Sequence, residues 1–162
     1  MLTKIDAVYK ALLHAFIFVM FALMTLVTLA NVVARFVFNR PFFWSAEMAR
    51  YSFVWIIFLG AALAARQGGH IGMEALQNTL PPRTRVVLKG AINCLIIMFL
   101  CVFTIVSFKQ AFLAVDTESA AMQIPMFIPY LALPFGGIAM IVEVVKAIRS
   151  DKQRETITQE IL

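Results

Sequence analysis

Charged residues are scarce in this chain of 162 residues, at 14% of the total against roughly 25% in ordinary soluble domains. Hydrophobic residues make up 62%, above the roughly 45–50% that is usual for a soluble domain. They form long uninterrupted blocks rather than recurring at a helix or strand period. The low charge therefore excludes an ordinary water-soluble domain and indicates a membrane protein.

Cysteine and histidine are equally rare, with two of each in the chain. Cys94 and Cys101 lie seven residues apart in one block, which is about 10 Å along a helix and beyond disulfide reach. His14 begins the first block and His70 lies in a connection on the same side, whereas a haem needs axial ligands at compatible depth. Zinc spacings, nucleophile elbows and phosphate loops are also absent. We therefore expect neither an enzyme nor a cofactor.

Four apolar blocks dominate the rest of the sequence, at approximately 12–34, 43–65, 86–108 and 125–148. Each is close to the ~20 residues that cross ~30 Å of hydrocarbon as a helix. A secretory signal peptide is the alternative for the first block, but its apolar run is too long and lacks a small-residue cleavage site. The sequence predicts an all-α integral membrane protein, a single domain over 1–162 with four transmembrane helices.

Lysine and arginine predict the orientation, because they resist translocation across the membrane. They concentrate before the first block, between the second and third, and after the fourth. The other side holds only Arg35, Arg40, Lys109 and, at the end of a span, Arg50. Both termini are therefore predicted to be cytoplasmic. The net charge of +5 follows from this asymmetry, so no nucleic-acid partner is expected.

Glycine and proline divide the predicted helices. In the connection "RQGGHIGMEALQNTLPPRTR", Gly68 and Gly69 end the second span beside His70, in what we interpret as a structural turn. Residues 71–80 can then form a short interfacial helix along the cytoplasmic surface. In the fourth block, Pro134 frees a backbone carbonyl and predicts a kink.

The middles of the spans contain few polar residues that could bind an ion or a substrate. The central polar residues of the first, third and fourth spans are Thr25, Thr28, Asn93 and Thr104, a poor inventory for an ion or substrate path. Gly60 lies in the middle of the second span, where a small residue permits another helix to approach closely. This pattern favours a packing partner over an autonomous transporter.

Two charges nevertheless enter the second span. Its purely apolar part, Tyr51 to Ala65, is only about 22 Å long as a helix, which is too short to cross the hydrocarbon. The membrane-spanning helix must therefore include the turns that contain Glu47 and Arg50. Their i, i+3 spacing predicts an ion pair on one face, and Trp44 and Tyr51 flank it as interface aromatics. Two interpretations remain open: an interfacial pair that sets membrane depth, or a surface that faces another subunit or an external docking protein.

Several stretches together resemble one family. A Glu and aromatic run leads to "FVWIIFLGAALAARQGGHIGMEAL" and "LPPRTR", and "MQIPMFIPYLALPFGG" opens the fourth span. In order and spacing, the chain resembles the small membrane subunit of tripartite ATP-independent periplasmic (TRAP) transporters.

The resemblance implies a bacterial or archaeal inner-membrane transporter, driven by sodium, for an organic acid such as a C4-dicarboxylate, sialic acid or a related sugar acid. It also implies two protein partners: a large membrane subunit that carries the substrate and sodium sites, and a periplasmic binding protein. The chain would be a scaffold beside the large subunit. Four charges in the outer loops are candidates for docking the binding protein: Arg35, Arg40, Asp116 and Glu118.

Two other classes remain as alternatives. An autonomous four-helix exporter depends on an acidic residue well inside its first span, and this first span has none. A membrane-anchor subunit of a respiratory complex would need paired haem histidines, which the chain also lacks.

Overall fold

The computed structural model describes residues 2–66 and 81–161, and these residues form helices with no β-strand beyond one isolated bridge. The elements are α1 (Leu2–Phe36), α2 (Ser45–Arg66), α3 (Pro82–Leu113), α4 (Phe127–Tyr130) and α5 (Ala132–Ile161). Four segments are long and apolar enough to cross a membrane: Asp6–Phe36, Ser45–Ala65, Val87–Leu113 and Phe127–Ser150. The predicted all-α membrane fold is confirmed. The predicted interfacial helix at 71–80 and the turn at Gly68, Gly69 and His70 lie outside the described residues.

Helices are the expected form, because hydrocarbon leaves no water to satisfy an exposed backbone N–H or C=O. The helix ends follow local chemistry. After α1, Asn39 adopts a positive φ of 50°, a conformation that asparagine tolerates better than most residues. Before α3, Pro81 is extended and Pro82 occupies the first turn, where its missing N–H costs nothing.

The effect predicted for Pro134 is seen one turn before the proline. The helical segment is interrupted at Leu131, between α4 and α5. Pro134, fully buried in the first turn of α5, has no N–H to donate to the carbonyl of Tyr130, four residues before it. The interruption therefore lies where a proline at position 134 frees a backbone carbonyl.

The four spans lie side by side as one layer. Within the described residues, α2 packs between α1 and α5, and α5 packs between α2 and α3. The lateral order is therefore α1, α2, α5, α3, with α1 and α3 at the two edges. The α1–α2 and α3–α4 connections lie at one end of this layer, which we call the loop end. The start of α1 and the end of α5 lie at the other, which we call the terminal end.

Two adjacent glycines allow α5 to pack closely on both neighbours. A Cβ added at Gly136 would lie 2.5 Å from Cβ of Phe58 and 3.2 Å from its backbone carbonyl on α2. A Cβ at Gly137 would collide with the Thr104 hydroxyl on α3. Small residues at such crossings are typical of membrane helices, whose association depends on close packing. Gly136 and Gly137 therefore join the two halves of the layer.

Candidate functional site

The carboxylate of Glu47 holds the α3–α4 connection at the loop end. Its two oxygens each accept one backbone hydrogen bond, from the N–H of Ala121 and from the N–H of Met122, both at 3.0 Å. Glu47 lies in the first turn of α2, where the helix dipole also favours a negative charge. We call this contact the Glu47 clip.

The segment that the clip holds is a compact loop. The Ser119 N–H donates to the Ile124 carbonyl at 2.9 Å, and the Met126 N–H donates to the Thr117 carbonyl at 2.8 Å. Gln123 turns the chain with a positive φ of 53°. Ser119 is buried, and the Tyr51 hydroxyl of α2 donates to the Met126 sulfur at 3.4 Å. The loop is therefore attached to α2 at two points one helical turn apart.

The α1–α2 connection is fastened in a similar way. The side-chain oxygen of Asn31, on α1, accepts the Phe42 N–H at 2.7 Å. The Arg40 N–H donates to the Ala34 carbonyl at 3.0 Å. Ser45 then donates its hydroxyl to the Phe42 carbonyl at 2.8 Å as α2 begins. Both connections therefore converge on the first turn of α2.

The predicted ion pair between Glu47 and Arg50 needs correction. Within the described residues no ion pair joins them, and Arg50 is exposed. Two backbone N–H groups lie directly at the Glu47 carboxylate and satisfy both oxygens, so Arg50 is not its direct partner. Trp44 is half-buried and stacks on Phe42, with ring centroids 5.6 Å apart.

The four proposed docking charges all lie at the loop end. Arg35, at the end of α1, extends over the Phe36 ring at 5.9 Å from its centroid. Arg40 follows in the α1–α2 connection, and Asp116 and Glu118 follow α3. All four side chains are exposed, and none takes part in an ion pair with another described residue. They are therefore available for contact with a partner.

Gly60 behaves differently from the two glycines of α5. A Cβ added at Gly60 would meet no atom of the described residues within 4 Å, so no contact among them requires a glycine there. Ile57, Ala61 and Ala64 are exposed nearby on the same helix. This face of α2 lies opposite the face that packs in the core through Leu59 and Ala62.

Sequence reasoning missed an ionic cluster towards the terminal end. Glu143 of α5 is fully buried, and its carboxylate accepts from the Lys146 ammonium at 3.3 Å. The same ammonium donates to the Asp6 carboxylate of α1 at 2.5 Å and lies 4.6 Å from the Tyr9 ring centroid. A signal was present, because Glu143 and Lys146 are an i, i+3 pair of opposite charge within an apolar block.

An apolar groove runs along the same side of the layer as this cluster. Its volume is about 440 Å³, and α1 and α5 form its walls over a floor that includes Trp55 and Leu59 of α2. Trp55 contacts Phe16 and Phe135, at centroid distances of 5.4 and 6.2 Å. Only apolar groups line most of the groove, so it offers packing rather than chemistry.

The cysteines and His14, which the sequence analysis also considered, do not come together in one site. Cys94 and Cys101 are free thiols exposed on α3. His14 is exposed, and its Nδ1 lies 2.8 Å from the Lys10 carbonyl. Among the described residues, no three His, Cys, Asp or Glu side chains form a possible metal site.

Comparison with known proteins identifies the family. The family model described as "Tripartite ATP-independent periplasmic transporters, DctQ component" matches residues 24–154. This chain belongs to the DctQ component family of TRAP transporters. The match begins within α1 and ends within α5, so it includes all of α2, α3 and α4. The resemblance found in the sequence is confirmed.

Three relatives agree with this assignment. A protein of Haemophilus influenzae described as a TRAP transporter small permease protein is 33% identical over 119 residues, 72% of this chain and 73% of that protein. The C4-dicarboxylate TRAP transporter small permease protein DctQ of Vibrio cholerae is 29% identical, over 70% of this chain and 59% of its own length. The ectoine TRAP transporter small permease protein TeaB of Halomonas elongata is 32% identical, over 70% and 60%.

DctQ family membership defines the general role of the chain. It is a multi-pass protein of the bacterial inner membrane and a permease component of a transporter, not an enzyme. Such a component works with a large membrane subunit and a periplasmic binding protein.

Proposed function

We propose that this chain is the small permease subunit of a sodium-coupled TRAP transporter that imports an organic acid, such as a C4-dicarboxylate, sialic acid or a related sugar acid. The observation that carries the proposal is the DctQ family match over 24–154. Relatives named for C4-dicarboxylate and for ectoine support a small carboxylate-bearing substrate. Sodium coupling is expected in the large subunit.

The chain acts as a scaffold rather than as the substrate pathway. The described spans form one open layer, and its large exposed side chains are apolar along the membrane-spanning helices. A single layer encloses no route across the membrane, whereas its apolar faces can pack against another membrane protein or against lipid. This geometry supports a fixed wall beside a large subunit that carries the substrate and sodium sites.

The α2 face around Gly60 is our candidate contact with the large subunit. A glycine in a helix interior costs about 1 kcal/mol relative to alanine, and no contact among residues 2–66 and 81–161 explains that cost at Gly60. Close approach of a helix from another subunit would explain it. Gly60→Leu should therefore reduce co-purification with the large subunit several-fold. Gly90→Leu on α3 is the matched control, because its Cβ position is equally open.

The loop end is our candidate docking region for the periplasmic binding protein, which assigns the terminal end to the cytoplasm. Arg35, Arg40, Asp116 and Glu118 support this assignment, because they are exposed and form no ion pair within the part of the chain that the structure describes. Trp44, Glu47, Arg50 and Tyr51 then lie near the external membrane boundary. Of these four, Glu47 and Tyr51 hold the loop in place.

Reconstitution tests the proposal directly. Proteoliposomes that contain the large subunit and the binding protein are prepared with and without this chain, and uptake of candidate organic acids is measured under an inward sodium gradient. We expect rapid uptake only when the chain is present and only with the gradient. Full uptake without the chain would refute the scaffold role. Equal uptake after potassium replaces sodium would refute sodium coupling.

A further inference from the structure

The apolar groove between α1 and α5 opens towards basic side chains at the terminal end. Along α1 its wall runs from Tyr9 to Phe16, about 10 Å of helix. Near the Tyr9 end, α1 carries Lys10, and α5 carries Lys146 and Arg149. We propose that the groove and these three cations bind an anionic phospholipid from the leaflet at the terminal end. Its acyl chain lies in the groove and its phosphate lies at the cations.

The size of the groove suits a hydrocarbon chain better than a protein helix. A helix with its side chains is 10–12 Å across, so a 10 Å length of it occupies on the order of 800–1,100 Å³. The groove has a volume of about 440 Å³, so a helix from another protein could enter it only in part. An acyl chain is a single file of methylene groups, and the apolar lining of the groove matches it along its length.

The charges beside the groove expose their cations more than their carboxylates. The side chains of Lys10 and Lys146 are 38% and 36% exposed. Asp6 is less exposed, at 25%, and Glu143 is fully buried. Arg149 is exposed, and no ion pair joins it to another described residue. Among these five residues, three cations against two carboxylates leave a net positive charge on the exposed side. An anionic headgroup complements that charge.

The sequence of α5 aligns its cations with the groove. Ile138, Val142, Lys146 and Arg149 follow one another at intervals of three or four residues, so they lie along one side of the helix. The first two line the groove, and the last two continue the same stripe towards the end of the span. This stripe changes from apolar to basic in the direction in which a phospholipid changes from acyl chain to phosphate.

Tyr9 lies at the boundary between the groove and the charges. Its ring lines the groove, and the Lys146 ammonium lies 4.6 Å from the ring centroid. Its hydroxyl is buried and has no hydrogen-bond partner among the described residues. A buried donor without an acceptor is destabilising. The ester or phosphate oxygens of a lipid at this level would supply an acceptor.

Trp55 provides an internal probe for the test. The chain has two tryptophans, so Trp44→Phe leaves Trp55, on the floor of the groove, as the only one. This chain is purified whole and titrated in detergent with phosphatidylglycerol or phosphatidylcholine, each brominated on the same acyl chain to quench a nearby indole. Phosphatidylglycerol should quench Trp55 at a concentration at least about tenfold lower. Equal quenching by the two lipids would show that the groove takes bulk hydrocarbon only, and would overturn the proposal.

A charge variant tests the headgroup site. Lys10→Gln with Arg149→Gln should remove the preference for phosphatidylglycerol. Arg35→Gln with Lys109→Gln is the matched control, because it removes the same charge from exposed positions away from the groove, and it should keep the preference. Thermal unfolding checks that each variant is folded. A preference retained by folded Lys10→Gln/Arg149→Gln protein would overturn the proposal.

A second variant tests the groove itself. Ile138→Phe with Val142→Phe fills the groove and should weaken quenching by phosphatidylglycerol several-fold. Ile105→Phe with Val106→Phe is its control, because these residues are exposed on α3 and do not line the groove. Unchanged quenching in the filled variant would place the lipid elsewhere and overturn the proposal.

The large subunit is the other possible occupant of the groove. The titration is therefore repeated with the large subunit bound, and quenching by phosphatidylglycerol should persist. Its loss would assign the groove to that subunit and overturn the proposal. Because lipid binding is measured without transport, a failure of sodium-driven uptake would leave this result unaffected.

Discussion

Glu47 and Glu143 both lie within membrane-spanning segments, and each is compensated in a different way. Glu47 accepts two backbone N–H groups from a loop that lies far along the chain. Glu143 is fully buried and accepts from the ammonium of Lys146 on its own helix. An ionised group without such partners would be very costly at this depth. Both residues therefore depend on specific neighbours for their charge.

Removing the ammonium of Lys146 should destabilise the chain. In Lys146→Met, the buried Glu143 loses a charged partner and Asp6 loses the contact that joins α1 to α5. We expect a loss of about 1–3 kcal/mol, typical of a buried polar group deprived of its partner. The thermal unfolding midpoint in detergent measures this loss. Adding Glu143→Gln should recover part of it.

Lys10→Met is the matched control for this prediction. Its ammonium lies 3.9 Å from Asp6 on the same helix, and such partly exposed pairs contribute about 0–1 kcal/mol. An unfolding midpoint for Lys146→Met equal to that of Lys10→Met would show that the buried cluster contributes nothing special.

The sequence indicated the depth of Glu47 but not its partners. The sequence predicted that Glu47 lies at the end of a span, because the apolar run is short and is flanked by Trp44 and Tyr51. The position of Glu47 in the first turn of α2 agrees with this prediction. Its partners are the backbone N–H groups of Ala121 and Met122. Backbone groups leave no residue-type signature, so side-chain spacing pointed to Arg50 instead.

At the scale of the helices, the glycines of this chain serve different purposes. Gly136 and Gly137 lie where α5 crosses its two neighbours, while Gly60 faces open space. Hydropathy predicted the spans well, because lipid demands long apolar helices. It could not predict which glycines pack within the chain, because that depends on the rotation of each helix.

Alanine substitution should distinguish a glycine that packs within the chain from one that does not. Gly136→Ala forces a Cβ against the Phe58 side chain and backbone, and we expect a cost of about 1–3 kcal/mol from overpacking. Gly60→Ala should leave the isolated chain unchanged or stabilise it by up to about 1 kcal/mol. Thermal unfolding of the isolated chain in detergent measures both changes. Equal destabilisation by the two substitutions would contradict the helix contacts described for α5.

At the scale of the whole molecule, the lateral order α1, α2, α5, α3 is the feature that matters for function. It leaves α1 and α3 at the edges and brings the fourth span next to the second. The number of spans could be predicted from four apolar blocks, whereas their order could not. Four hydrophobic helices of similar composition contain no sequence feature that specifies which of them will be neighbours. The order depends on local fits such as Gly136 against Phe58.

The orientation of the layer in the membrane gives the last prediction. Lysine and arginine are concentrated near the terminal end, so this end should remain in the cytoplasm. Single cysteines at Phe38 and Thr117 test the loop end, and a cysteine at Ser150 tests the terminal end, with Cys94 and Cys101 replaced by alanine. All three positions are exposed.

A membrane-impermeant maleimide should label the cysteines at positions 38 and 117 in intact spheroplasts. It should label position 150 only after the membrane is permeabilised. The reverse pattern would place the loop end in the cytoplasm, where no periplasmic protein could reach Arg40 or Glu118. Because the docking role proposed for the loop end depends on this orientation, the labelling experiment should precede any measurement of binding-protein docking.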